Sequence, residues 1–271
     1  TLKLINMKKI TGLALLLILL LSCKTYVQVF ETKSSDIQLE ENAYVFENDS
    51  LQITYDFWAE KGLMTFTIFN KLDVPLYVDW KKSSYIDNSV KLNYWIDQEH
   101  TESKAYYESY YYAIPFVPGK TTEGTIVSST TKAERITFIP PRSKYTRSQL
   151  YIYPYDEYKF NKTEKYTEVP RNDKPNKMTK VYELDYSKET SPIVFRNFLS
   201  FSDSENFEEE FYVDHEFYVS NIKEIDTRHF EQVKYDETKQ GKWFLRDENG
   251  EVIMFSDFEK SSSFYLRVPD N

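Results

Sequence analysis

The chain has a single cysteine, Cys23. An intramolecular disulfide needs two, so any folded part must be held together by its core alone. Glycine is scarce, with six residues in all. No glycine-rich phosphate loop and no Gly-x-Ser-x-Gly segment occur, which leaves nucleotide binding and that type of serine hydrolysis without sequence support. The three histidines are His100, His215 and His229, and their spacing matches neither a zinc site nor a calcium loop. The longest apolar run extends from Ile10 to Leu21. A membrane-spanning helix needs roughly 20 such residues, so this run is too short for a permanent span. There is no long amphipathic helical pattern and no internal repeat.

What is present begins at Met7. Lys8 and Lys9 follow it, then the apolar run, then Ser22-Cys23. This is a charged n-region, a short h-region and a small residue before a cut. Thr1 to Asn6 read as upstream sequence. The segment Leu20-Leu21-Ser22-Cys23 resembles the lipobox of bacterial lipoproteins, with a leucine three before the cysteine and a small residue just before it. The resemblance implies acylation of the Cys23 thiol and cleavage before it. A lone exported thiol is otherwise unexplained. Up to three acyl chains, each buried methylene contributing about 0.8 kcal/mol, would anchor the chain without a spanning helix.

Removing residues 1–22 takes away Lys3, Lys8 and Lys9 and no acidic residue, leaving 31 basic against 43 acidic side chains and a net charge of −12. Such a chain repels phosphate backbones, so no nucleic-acid partner is expected. The same balance argues against electrostatic docking on anionic lipid. The membrane would be met through the acyl chains.

Tyrosine (23) and phenylalanine (19) are abundant, and aromatic and β-branched residues favour pleated, half-buried surfaces. Leu51, Ile53, Tyr55 and Phe57 alternate with polar residues; Glu60-Lys61-Gly62 reads as a turn; Met64, Phe66 and Ile68 alternate again. Leu76, Val78 and Trp80 share a face. Further strands are expected at Leu92–Ile96, Thr125–Ser129, Arg135–Ile139, Gln149–Tyr153, Phe211–Val219 and Ser262–Val268. Pro140-Pro141 should stop a strand. Ser191-Pro192 either opens a short helix or precedes a buried strand over Ile193–Phe201. Asn249-Gly250 predicts a two-residue type I′ hairpin. Together these predict an all-β antiparallel β-sandwich. The expected division is a signal region (1–22), a lipidated cysteine with a polar tether (23–42) that reaches about 25 Å if flexible and leaves room for a short strand at Tyr26–Phe30, a β-sandwich domain (43–155), a polar loop or linker (156–180) and a β-rich C-terminal half (181–271).

The run Phe66–Trp80, a strand ending in Asn, a turn, a proline and a strand ending in Asp-Trp, resembles hairpins of immunoglobulin-like bacterial envelope domains. The blocks Ser22-Cys23-Lys24-Thr25-Tyr26-Val27 and Tyr77-Val78-Asp79-Trp80-Lys81-Lys82-Ser83 resemble lipoproteins of Bacteroidetes-type bacteria, families that carry no assigned activity. That likeness implies a cell-envelope location. Surface-exported lipoproteins of those bacteria often carry an acidic run after the cysteine; here Lys24-Thr25-Tyr26-Val27-Gln28 follows it, which favours the periplasmic face of the outer membrane.

No catalytic, cofactor or metal set is expected. Asp214-His215-Glu216 gathers metal-type ligands, but neighbours in a strand point to opposite faces, which favours a hydrogen-bonded histidine at a sheet edge. The carboxylate pairs Asp203/Glu205, Glu208/Glu209/Glu210 and Asp214/Glu216 would matter to a glycosidase only across a cleft. Trp58, Trp80, Trp95 and Trp243 read as core or hairpin residues. The segment Tyr106-Tyr107-Glu108-Ser109-Tyr110-Tyr111-Tyr112 stands out. Tyr106, Tyr107, Tyr110, Tyr111 and Tyr112 either cover the core and dress a loop, or form a platform for a glycan or a protein partner. The leading expectation is a non-enzymatic binding or scaffolding lipoprotein with an envelope protein partner, followed by glycan recognition through the tyrosines and, last, a hydrolase.

Overall fold

The computed structural model describes residues 25–96, 99–114, 117–132, 134–159, 166–172, 174, 176–233, 246, 248, 250–252 and 254–268, with the backbone alone at 99–114, 117–132, 233 and 254–255. In chain order the strands are β1 (Tyr26–Ser34), β2 (Gln38–Glu40), β3 (Ala43–Glu47), β4 (Leu51–Asp56), β5 (Leu63–Asn70), β6 (Leu76–Asp79), β7 (Ser84–Asp87), β8 (Val90–Asn93), β9 (Glu99–Ile114) and β10 (Val117–Lys132). They continue as β11 (Ile136–Ile139), β12 (Lys144–Tyr151), β13 (Tyr166–Pro170), β14 (Met178–Asp185), β15 (Val194–Ser202) and β16 (Phe211–Asp226). A single-turn helix, α1 (Thr227–Phe230), precedes β17 (Gln232–Val233), β18 (Met254–Phe255) and β19 (Ser263–Val268). The fold is all-β and its strand pairs are antiparallel.

The larger sheet runs β11-β6-β15-β16-β1-β19, with β14 and then β13 added to β16, and β7 and then β8 added to β15. The smaller sheet runs β12-β5-β4-β3-β2. One hydrophobic core joins them, because alternation turns one face of each strand inward. In β5 every second residue, Met64, Phe66, Ile68 and Asn70, is buried, as period-2 patterning requires. Phe217 of β16 sits at the centre, with ring centroids 4.9 Å from Tyr55, 5.1 Å from Tyr44 and Phe57, and 5.3 Å from Phe195. Such edge and offset contacts add about 0.5–1.5 kcal/mol per pair beyond area burial.

Three expectations are corrected. First, the segment read as a tether with room for a short strand at Tyr26–Phe30 holds a longer strand, Tyr26–Ser34, that is fully integrated in the sheet. β1 lies between β16 and β19, with Tyr26 opposite both Asp226 and Val268, and Val27, Val29 and Phe30 are wholly buried. Its apolar residues outweigh the polar ones because both edges find partners. Second, the two expected halves interleave: β6, β7, β8 and β11 share one sheet with β14, β15, β16 and β19. The stretch read as loop or linker contributes β13 and the start of β14. Third, Phe66–Trp80 is no hairpin, since β5 and β6 belong to different sheets. The chain crosses from one sheet to the other there, and crosses back at Pro140-Pro141 between β11 and β12.

Asn70 ties these two crossings together. Its buried side-chain amide donates to the carbonyls of Val74, Ile139 and Pro140 at 2.9, 3.1 and 3.1 Å, and its Oδ1 accepts from the Leu72 N–H at 3.0 Å. At the other end of β5, Gly62 (φ +65°) closes the expected turn; a Cβ there would lie 2.7 Å from the Phe264 ring. The one described bridge near the expected Asn249-Gly250 hairpin pairs Arg246 with Val252. That register differs by one residue from the pairing a two-residue turn at Asn249-Gly250 would make.

Asn70→Ala leaves three carbonyls short of a donor at a cost of about 1–3 kcal/mol. Asn70→Asp, isosteric but with acceptors facing those carbonyls, should lower the midpoint of thermal unfolding further than Asn70→Ala. Equal losses would mean that the amide's donors do not matter.

Candidate functional site

Cys23 lies outside the described residues. The structure does fix the chain next to it: the carbonyl of Thr25 accepts from the Thr227 N–H at 3.1 Å, and the ladder with Asp226 and Val268 starts at Tyr26. An anchor on Cys23 would therefore attach almost directly to the body of the sheet.

The five tyrosines fall in β9, which pairs along its whole length with β10, Ile114 opposite Val117 and Glu99 opposite Lys132. The backbone there is a regular strand rather than an irregular loop. The side chains of Tyr106, Tyr107, Tyr110, Tyr111 and Tyr112 lie outside the described residues. At 16 residues per strand the ribbon would measure about 50 Å when extended. Among the described residues neither of its strands is hydrogen-bonded to a strand of another sheet.

Both roots of the ribbon are clamped. On one side Tyr94, wholly buried, donates its hydroxyl to Asn197 Oδ1 at 2.8 Å. Its carbonyl accepts from the Arg147 guanidinium at 2.8 Å, and that guanidinium lies 4.0 Å from the Trp80 ring centroid. On the other side Arg135 donates to the buried Asp79 carboxylate at 2.8 Å, and the Arg135 carbonyl accepts from the Trp80 N–H at 2.9 Å. Burial alone would raise the Asp79 carboxyl; the Arg135 guanidinium and the N–H groups of Lys81 and Lys82 outweigh it and hold the group below its ordinary range. The Trp80 indole N–H donates to Thr137 at 2.8 Å. The Asp-Trp pair that stood out in the sequence thus serves as the clamp of the ribbon root.

Behind this clamp runs a buried polar relay. Tyr94 donates to Asn197, whose amide donates to the Tyr55 hydroxyl at 3.1 Å, and that hydroxyl meets His215 Nδ1 at 2.8 Å. Buried polar groups persist when each is satisfied by its neighbours. Burial pushes the Tyr55 and Tyr94 hydroxyls well up. It pushes His215 down to about 4, although Asp36 and Asp214 pull the other way. His215 is thus a neutral, hydrogen-bonded residue of the core. Its side chain faces inward between the sheets; its backbone pairs with Asn197 of β15 on one side, while the β1 ladder on the other side stops at Phe217, so the strand is at an edge there.

Asp214 and Glu216 point away from it, as strand alternation requires, and pair with Arg196 and Lys188. Asp203, Glu205, Glu208 and Glu209 lie in the turn between β15 and β16, and Glu210 pairs with Lys82 at 2.8 Å. Trp80 is fully buried, while Trp58 and Trp95 pack half-buried against the cores; Trp243 lies outside the described residues. Among the described residues no group of three or more His, Cys, Asp or Glu side chains could hold a metal ion, and no helix is long and apolar enough to cross a membrane. A surface cleft of about 380 Å³ lies beside Glu31, Tyr44 and Lys260; there Lys223 and Lys260 both approach the Glu31 carboxylate, at 3.1 and 3.5 Å. The relay and the root clamp were not legible in the sequence, since their members come from seven separate segments.

No protein family model, no curated protein and no solved structure matches this chain.

The relay sets a pH dependence. Folded, His215 stays neutral down to about pH 4; unfolded, it takes a proton near 6.5. Stability is complete above 6.5 and falls as pH drops through this window, by about 1.4 kcal/mol per unit at most. Denaturant midpoints measured from pH 7 to pH 4.5 should fall for the wild type, and His215→Gln should flatten that fall. An unchanged slope in the variant would place the protonating group elsewhere.

Proposed function

We propose that the chain is a lipid-anchored lipoprotein of the bacterial cell envelope, in the outer membrane and facing the periplasm, that works as a non-enzymatic binding or scaffolding module. The anchor reading rests on the lipobox-like segment ending at Cys23. The observation that carries the binding reading is the β9–β10 ribbon, which among the described residues pairs with no strand outside itself and stands on a clamped root. An isolated two-stranded ribbon is marginal in water, and each of its edges leaves a row of N–H and C=O groups open to another strand. Strand addition by an envelope protein partner would satisfy both conditions. A rigid root serves such a role, because it lowers the ordering cost on binding.

The tyrosines of β9 support a second reading in which the same ribbon stacks on glycan rings. The two readings part in one experiment. In-cell crosslinking of the full chain should trap a defined envelope protein, and replacing residues 99–132 by a short turn should abolish the crosslink while changing stability by less than about 1 kcal/mol. A monomer with no crosslinked partner sinks the first reading. Polysaccharide binding lost on changing Tyr106, Tyr107 and Tyr110 to alanine would favour the second. Cys23→Ala, followed for incorporation of a lipid label, tests the anchor separately.

A further inference from the structure

We infer that the Thr25 end of the sandwich rests on the lipid head-group layer and contacts its phosphates through Lys174 and Lys177; this rests on the anchor reading above. Only Lys24 separates Cys23 from Thr25, which limits their Cα atoms to about 7 Å apart. Thr25 is itself tied to Thr227, and β1 is paired on both sides from Tyr26 onward. An acylated Cys23 therefore leaves no slack for the body to stand clear of the bilayer.

The charge at that end fits this placement. β14 pairs with β16 so that Tyr182 lies opposite Glu224. Continued in the same register, Lys180 falls level with Asp226, and the turn between β13 and β14 projects past the end of the sheet where the chain enters it. The turn is closed by Arg171 N–H to the Lys177 carbonyl at 2.8 Å and Lys177 N–H to the Lys174 carbonyl at 2.9 Å. Asn172 ties it to the His229 carbonyl at 2.7 Å. From Arg171 to Lys180 the sequence holds four cations and one acidic residue. Lys174 and Lys177 are exposed, and beside them Met178 is 55% exposed. The strongly acidic average of the chain thus conceals a basic, partly apolar tip at the end where the lipid would attach. Lysines at an anionic surface each raise partitioning about five-fold. Tyr212, also exposed, lies at the other end of β16, about 45 Å of strand away.

The test uses the full chain, acylated in cells and reconstituted in vesicles of phosphatidylglycerol and phosphatidylethanolamine. With Cys23 acylated, Met178→Cys or Tyr212→Cys supplies the only thiol for a fluorophore, read against head-group nitroxide lipid. Quenching at position 178 and none at 212 is expected. Lys174→Glu with Lys177→Glu, or replacement of phosphatidylglycerol by phosphatidylcholine, should lower the quenching at 178. Equal quenching at both positions, or more at 212, overturns the orientation. Lipid label on Cys23 without quenching at 178 overturns the contact and leaves the anchor standing, whereas absence of the label overturns both. Quenching at 178 that ignores the lysine reversal and the lipid charge overturns the phosphate contact.

Discussion

The ladder between β1 and β16 is the interaction on which the rest of the structure depends. It sets Tyr26 against Asp226 and so joins segments from the two ends of the described chain in one sheet. β16 is the longest strand of that sheet and carries β15 along its first half and β14 along its second. β1 in turn carries β19. Within this ladder the buried Gln28 bonds to Glu224 at 3.0 Å and holds the main chain of Tyr158 on both sides, through its carbonyl at 2.8 Å and its N–H at 2.9 Å. A pairing this distant in sequence must repay a large loop-closure entropy before it stabilises anything. Folds rich in such contacts form slowly.

The same ladder decides what the N-terminal region can do. A strand paired on both edges cannot serve as a flexible leash, so an anchor on Cys23 would act where the chain enters the sheet. The ribbon leaves from the other region of the sheet, since Asn93, next to the root residue Tyr94, pairs with Ser84, Ser84 pairs with Phe198, and Phe198 lies opposite Asp214. An attachment at Cys23 would thereby be kept apart from the ribbon along β16. The root clamp and the relay behind it couple the ribbon's base to the centre of the core, through Tyr94, Asn197, Tyr55 and His215.

The polar members of the core are costly unless complete. An unmatched donor or acceptor in that position would lose about 1–3 kcal/mol, more than a neutral hydrogen bond returns. The relay is tolerated because each hydroxyl and amide finds its neighbour, and burial keeps His215 uncharged. The Asn70 corner works by the same rule: a single amide satisfies carbonyls from both crossings, so the two sheets are joined where the chain changes direction.

Period-2 alternation in the sequence alone determined that β4, β5, β6 and β16 are strands, and that His215 and its neighbours Asp214 and Glu216 face opposite ways, because a strand's side-chain geometry is local. It likewise determined that Pro140-Pro141 ends a strand, since proline lacks the ladder donor. Only the tertiary structure decided that Tyr26–Ser34 is an inner strand, that β5 and β6 part into different sheets, and which residues meet His215. Those outcomes depend on which edges find partners far away in the chain, and a hydrophobic pattern specifies a face without specifying a neighbour.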